Sequence, residues 1–491
     1  MNSKRLVLPM QNPFQSASTL SRALASGAVS ARDCLEMYLD RVAGVGGPLN
    51  AVVVLDAERA RARADAADAA LRGGRSLGPL HGLPMTVKES FDVAGLPSTF
   101  GYPDRAGHVA QTDALAVERL KAAGATIFGK TNVPKDLADW QSFNGVYGET
   151  LNPWNPDHSP GGSSGGAAAA LAAGLTGLEI GSDIGGSIRI PAHFCGVYGH
   201  KPTYGVVPMR GHAMRADTAP SDISVAGPLA RSAQDLALAM DLLAGPDPQL
   251  NGAWSLALPR ETRTQLKDFR FAVLADDADF PVDASISGAI RALADELRRA
   301  GARVDEVASP IGSWEAYELF LALLRGATSA RLTDDGFAQL AARTGGDEAR
   351  DYETLMGRGL TQSHRDWLAA NNRRDDVRRR WRAFFGAYDA LISPVATTPA
   401  FARMAGVPKP EQRFTINGAP RPAADTYYWL SIASLPYLPA TTIPMGLNAS
   451  GLPVGAEVVG PEFSDDRCIQ IAHLIEQAFG GCARPPGFAR P

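Results

Sequence analysis

The sequence predicts an α/β protein, on three observations. Short apolar runs at 51–55, 83–87 and 125–128 read as strands, and helical stretches at 57–71 and 113–123 alternate with them. An alanine-rich helix at 167–173 follows directly on a glycine–serine loop. No composition break, long linker or internal repeat divides the 491 residues, so one large domain over 1–491 is expected.

Each element has a local cause. Residues 18–43 form two short helices; Gly27 ends the first, and Ser30 with Asp33 gives the second a capping-box-like start. Leu35, Tyr38, Leu39 and Val42 then line one face. The Ala/Arg-rich run 57–71 is a strong helix former. The buried strand 83–87 carries Lys88 at its end, and Gly124 caps helix 113–123. The helix at 167–173 points its N-terminus at the preceding loop, a favourable place for developing negative charge.

The stretch 252–389 says least. It holds a strand at 270–274, an amphipathic helix at 286–300 and a long polar helical region. Arg378, Arg379, Arg380 and Arg382 cluster there beside Asp375 and Asp376, which reads as a solvated helix face; a site for nucleic acid or an acidic partner is the other reading. An apolar strand at 390–399 runs into a Pro/Thr loop, and 431–444 and 454–459 are further strand candidates.

The bulk numbers exclude several classes. A net charge of -4 leaves no electrostatic footprint for DNA or RNA. Cys34, Cys195, Cys468 and Cys482 lack CxxC spacing and fit reduced thiols of a cytoplasmic protein. The N-terminal apolar stretch is short and broken by Pro9, and no window approaches the ~20 apolar residues that span a bilayer. The histidines form no HxxxH or HExxH pattern, so a zinc hydrolase is not expected. The GGSSGG loop lacks the GK[ST] ending of a phosphate loop, and alanines follow it where the lysine should be.

Three segments carry chemistry: Met85-Thr86-Val87-Lys88, Gly161 to Gly166, and Gly181 to Arg189. Ser187 follows a glycine pair in a tight run, where the backbone N–H groups of Ile184, Gly185, Gly186 and Ser187 can form an oxyanion hole. A serine hydroxyl needs a base to attack at neutral pH. Lys88 serves only if burial lowers its pKa. Ser163 can accept from one group and donate to the other. A nucleophile, a relay hydroxyl and a base are thus assigned without histidine, which points to Ser–Lys acyl transfer. Asp183 and Arg189 flank the turn and are expected to brace it. Taken singly, each residue has a plainer reading: Ser187 in a Gly-rich turn, Lys88 reaching solvent or pairing with Glu89, Ser163 or Ser164 capping the alanine helix.

The segments together resemble the amidase signature family. HGLPMTVKESFDVAG (81–95), SPGGSSGGAAAALAAG (159–174) and GSDIGGSIRIPAHFCGVYGHKPTYG (181–205) carry the likeness, with echoes at 392–401 and 434–461. The strong core spans about residues 80–230, and a weaker likeness spans nearly the whole chain. The resemblance implies a large twisted mixed β-sheet surrounded by helices. It implies Lys88 as general base, Ser163 as bridging serine on a cis peptide, and Ser187 as acylated nucleophile, in a cycle that requires no metal or organic cofactor. His200 departs from the pattern, standing where many relatives carry an apolar residue before Lys-Pro-Thr.

The function so implied is amidohydrolysis of a small to medium apolar or aryl amide, an anilide or carbamate included. The alternative is the glutaminase subunit of a tRNA-dependent amidotransferase; a non-catalytic protein on this scaffold is a third reading. The partner expected is the small-molecule amide, with no nucleic acid or membrane, and a homodimer stays open. Pocket walls are expected from 135–147, with Trp140 and Phe143, from 314–324 and from 427–437; 252–389 is the expected specificity-determining insertion.

Overall fold

The computed structural model describes residues 12–214, 219–248, 253–344 and 349–488. The N-terminal apolar stretch through Pro9 lies outside the described residues, as does Gly252, where the insertion is expected to begin.

At the centre is an eight-stranded mixed sheet with helices around it. In spatial order its strands are Arg303–Glu306, Arg270–Val273, Ala390–Pro394, Pro453–Val459, Ala440–Leu447, Tyr198–Lys201, Val225–Ala230 and Glu179–Asp183. The first three run parallel, and each later neighbour is antiparallel. A smaller sheet orders Val52–Leu55, Thr126–Thr131 and Pro84–Lys88, antiparallel then parallel. This is the α/β class that the strand–helix alternation predicts.

Two strands position the site. Pro84–Lys88 and Glu179–Asp183 are buried along their whole length. Their polar groups therefore need protein partners. Thr86 donates its hydroxyl to Glu179, and its N–H donates to Thr176 Oγ1 at 3.0 Å. These bonds lay the small sheet against the edge of the large one and bring Lys88 beside Ser182.

Several local readings hold. Ser30 accepts from the Asp33 N–H at 2.9 Å and opens the helix Ala31–Arg41. Ala284–Arg299 begins on Asp283 and buries Ile286, Ile290, Leu293 and Leu297 at helical spacing. The arginine cluster lies on the helix His364–Phe384, where Arg378 pairs with Glu462, Arg379 with Asp375 and Arg380 with Glu315. Its charges are met by local carboxylates, as the solvated-face reading expects. All four cysteines are free. Among the described residues no helix is long and apolar enough to cross a membrane.

Others need correction. The strand candidate 431–444 is the end of a helix, Thr426–Ser434, followed by the strand Ala440–Leu447. That helix is buried on every side, so its apolar run carries no period that separates helix from strand. Glu179–Asp183, Tyr198–Lys201 and Val225–Ala230 are strands that the sequence hid behind glycine, proline and charge. They persist because their polar groups are met: Lys201 Nζ donates to the Pro202 and Leu438 carbonyls at 3.0 and 2.8 Å. His200, the departure noted above, lies between Thr441 Oγ1 at 2.9 Å and Asp465 Oδ1 at 3.1 Å.

Candidate active site

Lys88 ends its strand with no exposed surface. Its Nζ donates to Ser163 Oγ at 2.7 Å and to Ser182 Oγ at 2.9 Å. Burial pushes its pKa down to about 7, outweighing the opposite pull of Asp183 and Glu179. It neither reaches solvent nor pairs with Glu89, whose carboxylate accepts the N–H groups of Thr99 and Phe100 and the Tyr147 hydroxyl.

Ser163 sits in the glycine–serine loop, and the Gly162–Ser163 peptide is cis, as the resemblance implies. Glycine is required at 162 because a Cβ there would collide with the Asp139 carbonyl. The alanine helix runs Gly165–Ala172, beginning two residues and ending one residue earlier than expected. Neither serine hydroxyl caps it: Ser164 Oγ donates to the Ser182 carbonyl at 3.4 Å, and Ser163 Oγ accepts from Lys88.

Ser187 lies in the turn between Glu179–Asp183 and the helix Arg189–Cys195. Asp183 organises that turn. Its carboxylate accepts from the Gly186 N–H at 2.8 Å, the Ile188 N–H at 3.1 Å and Arg189 Nε at 3.1 Å. Arg189 also donates to Ser434 Oγ at 2.7 Å and Glu457 Oε2 at 3.3 Å. Burial would raise the Asp183 pKa, but the Arg189 guanidinium outweighs it and holds the carboxyl at about 2. The expected bracing by Asp183 and Arg189 is present as geometry.

The N–H groups of the turn divide. That of Gly186 is taken by Asp183. Those of Ile184, Gly185 and Ser187 have no acceptor among the described residues. Gly186 sits at φ 91°, and a Cβ there would lie 2.7 Å from Leu430 Cδ2.

A cleft of about 170 Å³ opens on Ser187, with Trp140, Gly185, Leu324, Arg325 and Tyr427 in its wall. Trp140 Nε1 donates to the Gly185 carbonyl at 3.0 Å, and its ring lies 4.8 Å from that of Tyr427. Each expected wall segment thus contributes a residue. Phe143, Trp314 and Tyr437 are not among the lining residues; Trp314 packs on Phe280 and Tyr437 on Tyr204. Asp139, within the expected segment 135–147, also lines the cleft; sequence reasoning missed Arg325, which lines it too, and Lys409, whose Nζ lies 3.3 Å above the Trp140 ring. Arg325 had a signal: it is the sole charge in the run 319–328.

The structure brings Lys88 and Ser163 together and opens Ser187 to the cleft. No hydrogen bond joins the Ser163 and Ser187 hydroxyls among the described residues. Among those residues no group of three or more His, Cys, Asp or Glu is arranged to hold a metal.

Fold and sequence together define an amide hydrolase of the amidase signature class. A family model described as Amidase matches residues 33–469, and the chain belongs to that family. It is 32% identical to a glutamyl-tRNA(Gln) amidotransferase subunit from Synechococcus sp. (strain CC9902), over 96% of this chain and 97% of that one. It is also 32% identical to an indoleacetamide hydrolase of Bradyrhizobium diazoefficiens, over 95% and 86%. Among solved structures it resembles a bacterial aryl acylamidase of the amidase signature family, with a TM-score of 0.81 and 25% identity over 97% of this chain and 99% of that one.

Proposed function

We propose that the chain hydrolyses small to medium apolar or aryl amides, anilides and carbamates among them, through an acyl-enzyme on Ser187. The observation that carries this reading is the buried Lys88, hydrogen-bonded to the Ser163 hydroxyl, while the N–H of the next residue, Ser164, donates to the carbonyl of the cleft-lining Ser187 at 3.1 Å. Neutral Lys88 draws a proton from Ser163 as Ser163 takes one from Ser187. Ser187 Oγ attacks the amide carbon. The N–H groups of Ile184, Gly185 and Ser187 hold the oxyanion, a contribution of ~3–4 kcal/mol per donor. The Gly186 N–H serves the Asp183 carboxylate instead. The carbon–nitrogen bond breaks as the proton returns along the relay to the leaving amine. Water then cleaves the acyl ester and releases the acid. The Ser163–Ser187 contact closes when substrate binds, since catalytic hydrogen bonds commonly tighten only in the complex. The whole chain works as one domain, which one connected hydrophobic core supports.

Aromatic and aliphatic walls from Trp140, Tyr427 and Leu324 support an apolar or aryl group. The indoleacetamide hydrolase and aryl acylamidase likenesses favour the same choice. One observation favours a second reading, a glutaminase that works within an amidotransferase complex: the likeness to the amidotransferase protein over 96% of the chain.

A hydrolysis panel separates the two, with Ser187→Ala protein as blank. It holds a primary amide, an anilide, a carbamate, an ester of matched acyl size, and glutamine. Turnover of any member except glutamine, lost in the blank, is the expected result. Turnover of glutamine alone, or none, supports the amidotransferase reading.

A further inference from the structure

The cleft holds a guanidinium, that of Arg325, with no carboxylate partner among the described residues. Arg325 Nη2 donates to the hydroxyls of Tyr352 and Tyr427, the latter at 2.9 Å. Its Nε is buried without a partner, and Nη1 has none among the described residues. No carboxylate among those residues pairs with it, whereas the other cations of this region have one nearby. Arg331 Nη1 lies 3.2 Å from Asp136 Oδ2. Lys409 Nζ lies 3.9 Å from Asp139 Oδ1 and over the Trp140 ring. Arg325 is half-buried: its Nε is shut off from water, and an anion in the cleft would meet Nη1 with charge-assisted bonds.

The position is also telling. Leu324 precedes Arg325, and Tyr427 accepts its hydrogen bond. Both lie against the nucleophile turn: a Cβ at Gly185 would sit 3.5 Å from Tyr427 Cε1 and 3.6 Å from Leu324 Cδ2. Arg325 and Ser187 line the same cleft. The two tyrosine hydroxyls hold Nη2 and fix the guanidinium plane, which leaves Nη1 for a ligand.

We propose that Arg325 is a specificity residue that binds a carboxylate on the substrate. The preferred substrates are then amides with an apolar or aryl body and one anionic end. The proposal rests on the amidohydrolase reading above and deepens it. Arginine suits the role because its charge persists at any working pH and its N–H groups form charge-assisted bonds to a carboxylate.

Two matched anilide pairs test it, each exchanging a carboxylate for an acetyl group. N-phenylsuccinamate against 4-oxo-N-phenylpentanamide puts the charge on the acyl side. 4-Acetamidobenzoate against 4-acetamidoacetophenone puts it on the amine side. The wild-type protein should favour the anionic member of one pair at least tenfold in kcat/KM. Arg325→Gln should reduce that ratio about tenfold through KM, and Arg325→Lys should restore part of it. Equal kcat/KM within both pairs, or an unchanged ratio in Arg325→Gln, overturns the proposal. Calorimetric binding of the same four compounds to Ser187→Ala protein reads recognition without turnover. Tighter binding of an anion, with no wild-type hydrolysis of any of the four, keeps the charge recognition and overturns the hydrolase reading. Equal binding within both pairs overturns the charge recognition.

Discussion

Lys88 Nζ lies 2.7 Å from Ser163 Oγ with its whole side chain withdrawn from water. Its other acceptor is a second hydroxyl, that of Ser182. The nearest carboxyls are committed elsewhere: Asp183 to Arg189 and the turn, Glu179 to Thr86. An ammonium in that position gives up hydration and gains only hydroxyl dipoles, so the neutral amine is favoured. The base strength that the proposed relay needs is therefore a consequence of where the strand ends.

The pH profile follows from that. With Lys88 at about 7, the reactive neutral form dominates above that pH and is lost below it. Initial rates should climb about tenfold per unit on the acid side and level off above about pH 8. A rate constant from about pH 5 to 9 would remove Lys88 as the limiting base.

Replacing the amine separates chemistry from packing. Lys88→Met should cost about 10²–10⁴-fold in kcat, the usual share of a general base. Its thermal midpoint should not fall, because an apolar chain of similar volume suits a buried position. Lys88→Arg should be as inactive, since a guanidinium stays charged. Turnover assays and a thermal melt on the same samples check both halves.

Ser163→Ala should lower kcat and leave KM nearly unchanged, because the Ser163 hydroxyl lies behind Ser187 in the proposed relay. Steady-state kinetics on an anilide decides it. A change confined to KM would place Ser163 in substrate binding.

The turn is braced by a buried ion pair. Asp183→Asn should destabilise the protein by about 3–5 kcal/mol, since Arg189 loses a partner it cannot replace with water. The Asp183 pKa falls from 3.8 to about 2 on folding. Its contribution is thus fully present above 3.8 and fades as pH drops toward 2. Denaturant titrations of both proteins at pH 7 and at about pH 3 should show the gap between them narrowing at the lower pH.

Gly186→Ala should cost about 1–3 kcal/mol, from positive φ and crowding against Leu430 and Ile190 together. Urea midpoints measure it. An unchanged midpoint would mean that the turn relaxes freely.

Legibility varied with the kind of signal. Helices with a polar face, such as Ala284–Arg299, declared their period. The helix Thr426–Ser434 did not, because every side is buried. Strands rich in charge and glycine, such as Glu179–Asp183, read as turns because their stability rests on partners distant in sequence. The site divides in the same way. Lys88, Ser163 and Ser187 stood out through three ordered glycine-rich or apolar segments. The commitment of the Gly186 N–H to Asp183 and the seat of Lys409 over the Trp140 ring depend on tertiary placement that no local pattern encodes, whereas Arg325 is marked locally as the lone charge of an apolar run.

The most direct test is to map the acyl group. The protein would be mixed with a 4-nitrophenyl ester, quenched in acid within one turnover, digested and read by mass spectrometry. The account predicts one acyl mass on Ser187, absent from Ser187→Ala protein, whose turnover drops about 10⁴-fold. An acyl group on another side chain, with Ser187→Ala still turning over, would contradict it.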